Sequence, residues 1–186
     1  VRLKPYRLDG GPVLLDIQQL IPLPEVSDFQ TQIGAKRRAI RGEDTEKKEI
    51  FYRFWKGLLS TEVMKGTIHA HLSPQKGSIL SGRTGRRGFD LNYSLRQHDN
   101  SVYLWIANSQ TAFESLFAEQ QEIEAEFGQE LEWREVEGQQ GRLIGFFQEG
   151  GYRSDPETWP TIQARMVSAM TRLTDVLLPR VRRLPA

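Results

Sequence analysis

The pattern of apolar and polar positions is clearest between residues 89 and 107. Phe89, Leu91, Tyr93 and Leu95 alternate with Asp90, Asn92, Ser94 and Arg96, the period of two that marks a strand with one face in a core. The turn-like His98-Asp99-Asn100 leads into the apolar run 102–107, and together the two runs predict a β-hairpin. A second hairpin is predicted from 131–136 and 142–147, which bracket Gly138-Gln139-Gln140-Gly141. Helical spacing governs the other apolar positions. Ile50, Phe51, Phe54, Trp55, Leu58 and Leu59 give residues 45–60 one buried side, with Asp44 or Thr45 as cap. Phe113, Leu116, Phe117, Ile123 and Phe127 form the buried stripe of a second helix. Thr111 and Glu114 open it as a capping box, and Gly128 closes it. A third helix starts at Ser154-Asp155-Pro156, turns Trp159, Ile162, Met166, Val167, Met170, Leu173, Leu177 and Leu178 inward, and stops at Pro179.

The remaining stretches read as irregular. Glycines at 66, 77, 82, 85 and 88 make 66–88 a loop. Pro5, Pro12, Pro22, Pro24 and Gly10-Gly11 interrupt the start of the chain, where only 13–17 reads as a strand, and the polar stretch 26–43 reads as an arm or linker. The expected organisation is therefore an N-terminal arm, or the remnant of a preceding domain, over 1–43 and a single domain over 44–186. Its element order, α-ββ-α-ββ-α, predicts an α+β fold: an antiparallel sheet of two ββ hairpins with three helices packed mainly on one face. The polar face of the first hairpin is left for solvent or a partner. That face, or the arm, is where a homodimer is expected to form.

Composition narrows the chemistry. The 186 residues include no cysteine. This excludes a disulfide scaffold, a thiolate nucleophile, a zinc finger and an iron–sulfur cluster, and it suits a reducing cytoplasm, the expected location. No apolar run approaches the roughly 20 residues that span a bilayer, so no membrane partner is expected. The net charge of +1 hides a strong asymmetry. Residues 1–41 carry +3, 42–108 carry +3, 109–160 carry −9 and 161–186 carry +4. The acidic block repels a phosphate backbone and the flanks attract one.

Three constellations invite chemistry. Gly77 to Thr84 has the glycine spacing of a phosphate-binding P-loop, but Arg83 stands where lysine is required, and Gly85 and Gly88 interrupt the helix that would hold the phosphate. A flexible glycine loop is the expected reading. His69-Ala70-His71 points two imidazoles one way on a strand, yet no cysteine completes a site and His98 falls in a turn; no metal and no cofactor is expected. The glutamates at 114, 119, 122, 124 and 126 read as a solvated helix face, and no serine-histidine-aspartate set or acid–lysine nuclease set is recognisable. What remains is basic. Arg83, Arg86 and Arg87 stand among glycines and can follow a phosphate backbone; Lys36, Arg37, Arg38 and Arg41 form a second basic knot. The basic loop carries no interleaved aromatic, so contacts to phosphates rather than to bases are expected of it.

Several pieces taken together resemble a known family. Phe51-Tyr52-Arg53-Phe54-Trp55 in the first helix, Gly85 to Leu91 opening a hairpin, Glu122-Ile123-Glu124 with Phe127-Gly128, Leu131-Glu132-Trp133, and Trp159 in the last helix resemble the bacterial domain of unknown function 4268, over residues 49–180. Members of that family commonly stand C-terminal to a restriction-endonuclease-like nuclease. The resemblance implies a role near DNA or in genome defence, and carries over no catalytic residue because the family defines none. The expected function is a non-catalytic accessory or recognition domain that binds nucleic acid or a protein partner and self-associates. The alternative is a metal-dependent nuclease with an unrecognised acidic site.

Overall fold

The computed structural model describes residues 2–7, 13–18, 24–136 and 141–185, with side chains from residue 42 onward. The chain divides into two compact units, Val1–Glu46 and Lys47–Ala186. In the first, strands β1 (Arg2–Arg7) and β2 (Val13–Gln18) pair antiparallel. The sequence pattern picks out β2 but not β1, because Pro5 interrupts it; in a two-stranded ribbon every strand is an edge, and an edge tolerates proline. Helix α1 (Pro24–Leu59) begins here and ends in the second unit. It absorbs the stretch 26–43, expected as an arm or linker. Glutamine, alanine, lysine and arginine are good helix formers, and Pro24 opens the helix where its missing N–H costs nothing.

The second unit is built on one antiparallel sheet. Strands β3 (Ile79–Arg83), β4 (Phe89–Leu95), β5 (Asp99–Ala107), β6 (Glu132–Val136) and β7 (Gly141–Glu149) lie in the order β3-β4-β5-β7-β6. Both expected hairpins are present, β4–β5 and β6–β7, and they join through β5 and β7. The helices are α1, α2 (Gln110–Phe117), α3 (Gln120–Phe127) and α4 (Trp159–Arg183). The α+β architecture on an antiparallel sheet is as the sequence predicts. The layout is richer, with five strands in this sheet and four helices among the described residues.

The extra strand, β3, lies inside the stretch expected to be a loop. It was hidden by Gly82, whose role is close approach rather than flexibility: a Cβ at 82 would overlap the His69 imidazole, which lies over the strand. The extra helix comes from a break. Ser109, not Thr111, is the N-cap, accepting from the Ala112 N–H at 3.3 Å. The helix stops at Ala118 and resumes at Gln120. That break rephases the apolar stripe. Ala112 and Leu116 turn into the core, while Phe117, expected to be buried, is 48% exposed and packs on Phe113 and Trp133. Pro179 does not stop α4, which continues to Arg183. Its last turns are held from outside the helix. Val181 is buried, Arg180 bonds Glu119 and Glu126 at 2.8–2.9 Å, and Arg86 caps the terminal carbonyls.

One core joins Phe54, Trp55 and Leu58 of α1, Ile123 and Phe127 of α3, and the inner side of α4 to a single face of the sheet. Leu80, Phe89, Leu91, Tyr93, Leu95, Val102, Leu104, Ile106 and Ile144 supply that face, and the register places all of them on the same side. Gly57 lets α4 come close, since a Cβ there would lie 2.6 Å from the Gln163 amide, whose Nε2 donates to the Phe54 carbonyl at 2.9 Å. Gly128 ends α3 in the left-handed region at φ 86°, as its position predicts. Glu124 ties α3 to β6: its Oε1 accepts from Gln120 Nε2, the Leu131 N–H and Trp133 Nε1 at 3.0–3.1 Å. Desolvation pushes that carboxyl up, but the three donors outweigh it and hold it below the usual range.

The rephased stripe sets a contrast between neighbours. Leu116→Ala, which empties a buried site, should cost about 3 kcal/mol, whereas Phe117→Ala should cost about 1 kcal/mol. Urea unfolding of both variants measures this, and equal losses would mean that Phe117 is buried after all.

Candidate nucleic-acid interface

The β3–β4 turn is shaped by two glycines in the left-handed region, Gly85 at φ 88° and Gly88 at φ 84°. Thr84, buried at its start, donates to the Phe89 carbonyl at 2.7 Å and braces the turn. The three arginines expected to act together are separated by this geometry. Arg86 turns inward: its guanidinium stacks over the Phe89 ring at 5.0 Å and donates to the carbonyls of Val181, Leu184 and Pro185. It is thus the C-terminal cap of α4. Arg87 stays exposed and lines a shallow groove with Gly85, Ser109 and Arg182. Arg83 ends β3 on the far side of the sheet from the helices, exposed and opposite Asp90. Lys36, Arg37, Arg38 and Arg41 lie in α1, and their side chains fall outside the described residues.

Arg86 has an electrostatic consequence for the groove. The free carbonyls at a helix C-terminus present negative potential, which repels phosphate. By placing a cation on the Val181 carbonyl and on those of Leu184 and Pro185 just past the helix, Arg86 leaves Arg87 and Arg182 as the exposed charges there.

The other constellations resolve differently. Gly77 to Thr84 is mostly strand β3, with no helix after it to receive a phosphate, so the P-loop spacing is coincidental. His69 and His71 do not share a face: His71 is exposed, while His69 is fully buried, with Nε2 donating to the Leu91 carbonyl at 2.9 Å and its ring edge-on to Tyr93. Its Nδ1 is buried with no hydrogen-bond partner among the described residues. Burial lowers the His69 pKa, partly offset by the Leu91 bond. Among the described residues no three histidine or acidic side chains cluster as metal ligands do.

Sequence reasoning missed the open face of the sheet. The side expected to be polar does carry Asp90, Asn92 and Ser94 on β4, but the neighbouring strands add Tyr103, Trp105, Leu143 and Phe147. Asn92 and Ser94 are consequently shielded rather than free, at 5% and 7% exposure. None of this face belongs to the helix-covered core. Two glycines of β7 shape it. A Cβ at Gly141 would overlap the Trp105 ring, and one at Gly145 would lie 2.6 Å from Tyr103 Cβ, so Trp105 lies over backbone that carries no side chain. Arg96 and Arg134 stack on the Phe147 ring at 5.8 and 4.7 Å. Burial pushes the Tyr103 phenol up, with Arg96 pulling the other way. The available signal was the unbroken apolar run 102–107, which puts apolar side chains on both faces of its strand.

A five-stranded antiparallel sheet with its helices on one side and an aromatic, arginine-bearing face on the other defines an open-faced α+β domain. The family model for the domain of unknown function DUF4268 matches residues 50–181, and the chain belongs to that family. No curated protein and no solved structure matches it.

Two measurements check these assignments. Arg86→Ala should lower stability by about 2 kcal/mol, through lost charge-assisted bonds to the α4 carbonyls, and Arg86→Lys should not restore it because a lysine lacks the planar fork; thermal melts of both variants read this directly. For His69, the unfolded chain binds a proton near the ordinary value of 6.5 before the folded chain does. Stability should therefore fall as pH drops below that value, by at most about 1.4 kcal/mol per pH unit from this group. Denaturant midpoints between pH 7 and 5 should show a slope that His69→Gln reduces.

Proposed function

We propose that this chain is an accessory recognition domain that binds nucleic acid through its phosphates, acting in the cytoplasm beside a nuclease in a bacterial restriction or defence protein. The observation that carries the reading is the convergence of Arg87 on the glycine turn with Arg182 at the end of α4. The two residues come from distant parts of the chain and line one groove, and Arg83 stands exposed at the start of the same turn. Arginine forks match phosphate oxygens, and glycines at 85 and 88 let the backbone amides come close as well. Contacts of this kind read charge rather than sequence, so binding should show little base preference.

The test is binding to labelled duplex DNA across salt concentrations. Changing Arg83, Arg87 and Arg182 together to alanine should flatten the log–log salt slope by roughly 2.7, at about 0.9 per neutralised phosphate. Arg86 is left in place because its loss would perturb the fold. An unchanged slope and affinity would overturn the reading.

A further inference from the structure

We infer that the open face of the sheet is a stacking surface for single-stranded nucleic acid, with Trp105 as its centre. This inference rests on the nucleic-acid reading above and names the form of ligand. The cross-strand register places Arg83, Asp90, Trp105, Leu143 and Arg134 in one row across all five strands. Trp105 sits on the middle strand with an arginine at each edge of the sheet, two strands away on either side. At about 4.8 Å per strand spacing, each edge lies about 10 Å from the indole.

The row has the chemistry a single strand requires. An unpaired base offers a π-face to a ring, and its flanking phosphates offer charge to arginines. Trp105 meets the first need because Gly141 lets the indole settle against the backbone, and it remains only partly covered. Arg83 and Arg134 are exposed at the two edges. Arg83 also stands one residue before the turn that lines the groove. Asp90 supplies an acceptor in the same row, suited to an exocyclic amine on a base edge. A duplex has its bases stacked on one another and presents none of these π-faces.

The carboxylates of the face set the expected character of binding. Arg134 pairs with Glu132, and Arg96 lies 3.9 Å from Asp99, so those charges are partly spent. Stacking must then supply much of the affinity, and the salt dependence contributed by this face should be shallow.

The experiment uses the full 186-residue chain and a labelled single strand of about 16 nucleotides, compared with its duplex, by fluorescence anisotropy. The single strand should bind more tightly. Trp105→Ala should weaken it roughly ten- to hundredfold, Trp105→Phe should retain most of the binding, and duplex binding should be unmoved by either. Should Trp105→Ala unfold, the wild-type chain still tests the point: unlabelled single strand should quench its tryptophan fluorescence, and Trp105→Phe should abolish most of that quench. Equal or tighter duplex binding that depends on Arg87 and Arg182 but not on Trp105 would overturn this inference while leaving the phosphate reading intact. Absence of binding to either form at low salt would overturn both. Self-association by light scattering that Trp105→Ala abolishes would show that a second copy covers the face, and would also overturn it.

Discussion

The second unit depends on one constraint: in an antiparallel sheet, adjacent residues must face opposite sides. Once β4, β5 and β7 align, every odd position of β4 and every even position of β5 and β7 is committed to the helices, and every other position to the opposite face. A slip by one residue would put Asn92 and Ser94 into the core and Leu91 and Tyr93 out of it. The register is therefore enforced by burial, and it is what brings Arg83, Trp105 and Arg134 into line although 51 positions separate the first from the last in sequence. The row on the open face is a by-product of packing on the closed one.

The groove depends on the sheet in a second way. The β3–β4 turn carries Arg86 to the end of α4, where it takes up the Val181 carbonyl, which the end of the helix leaves without a helical partner, and the carbonyls of Leu184 and Pro185 just beyond. From the other side, Arg180 anchors the same turns to Glu119 at the junction of α2 and α3 and to Glu126 in the last turn of α3. The helix terminus is thus fixed by two arginines from opposite directions, and the exposed Arg182 between them inherits a defined position. Basic residues that look alike in sequence divide into those that build the site and those that present charge.

Much of this was legible in the chain. The first hairpin follows from the alternation over 89–96 and the apolar run 102–107, the second from the runs 131–136 and 142–147 that bracket Gly138 to Gly141, the helix-covered core from spacing, and the α3 terminus from Gly128. What was not legible involves residues whose role is set by a distant partner. Gly82 reads as a breaker until His69 is placed above it; Phe117 reads as core until the break after Ala118 turns Leu116 inward; Pro179 reads as a stop until Arg86 and Arg180 hold the turns beyond it. For the site, the glycine turn and its arginines were visible but not their division of labour. The aromatic face was invisible because its members are contributed singly, by strands that meet only through long-range pairing.

Glu124 has a kinetic side. Its three donors, Gln120, Leu131 and Trp133, all lie within nine residues of it. Closing so short a segment costs little chain entropy, whereas aligning β5 with β7 must bring together residues some forty apart. The α3–β6 corner can therefore assemble as a local nucleus before the sheet exists. In doing so it would fix the direction in which β6 leaves α3 and prepare the hairpin partner that β7 needs before it can dock on β5. A carboxylate at the surface, with no part in the core, would then speed folding to the extent that it stabilises the fold.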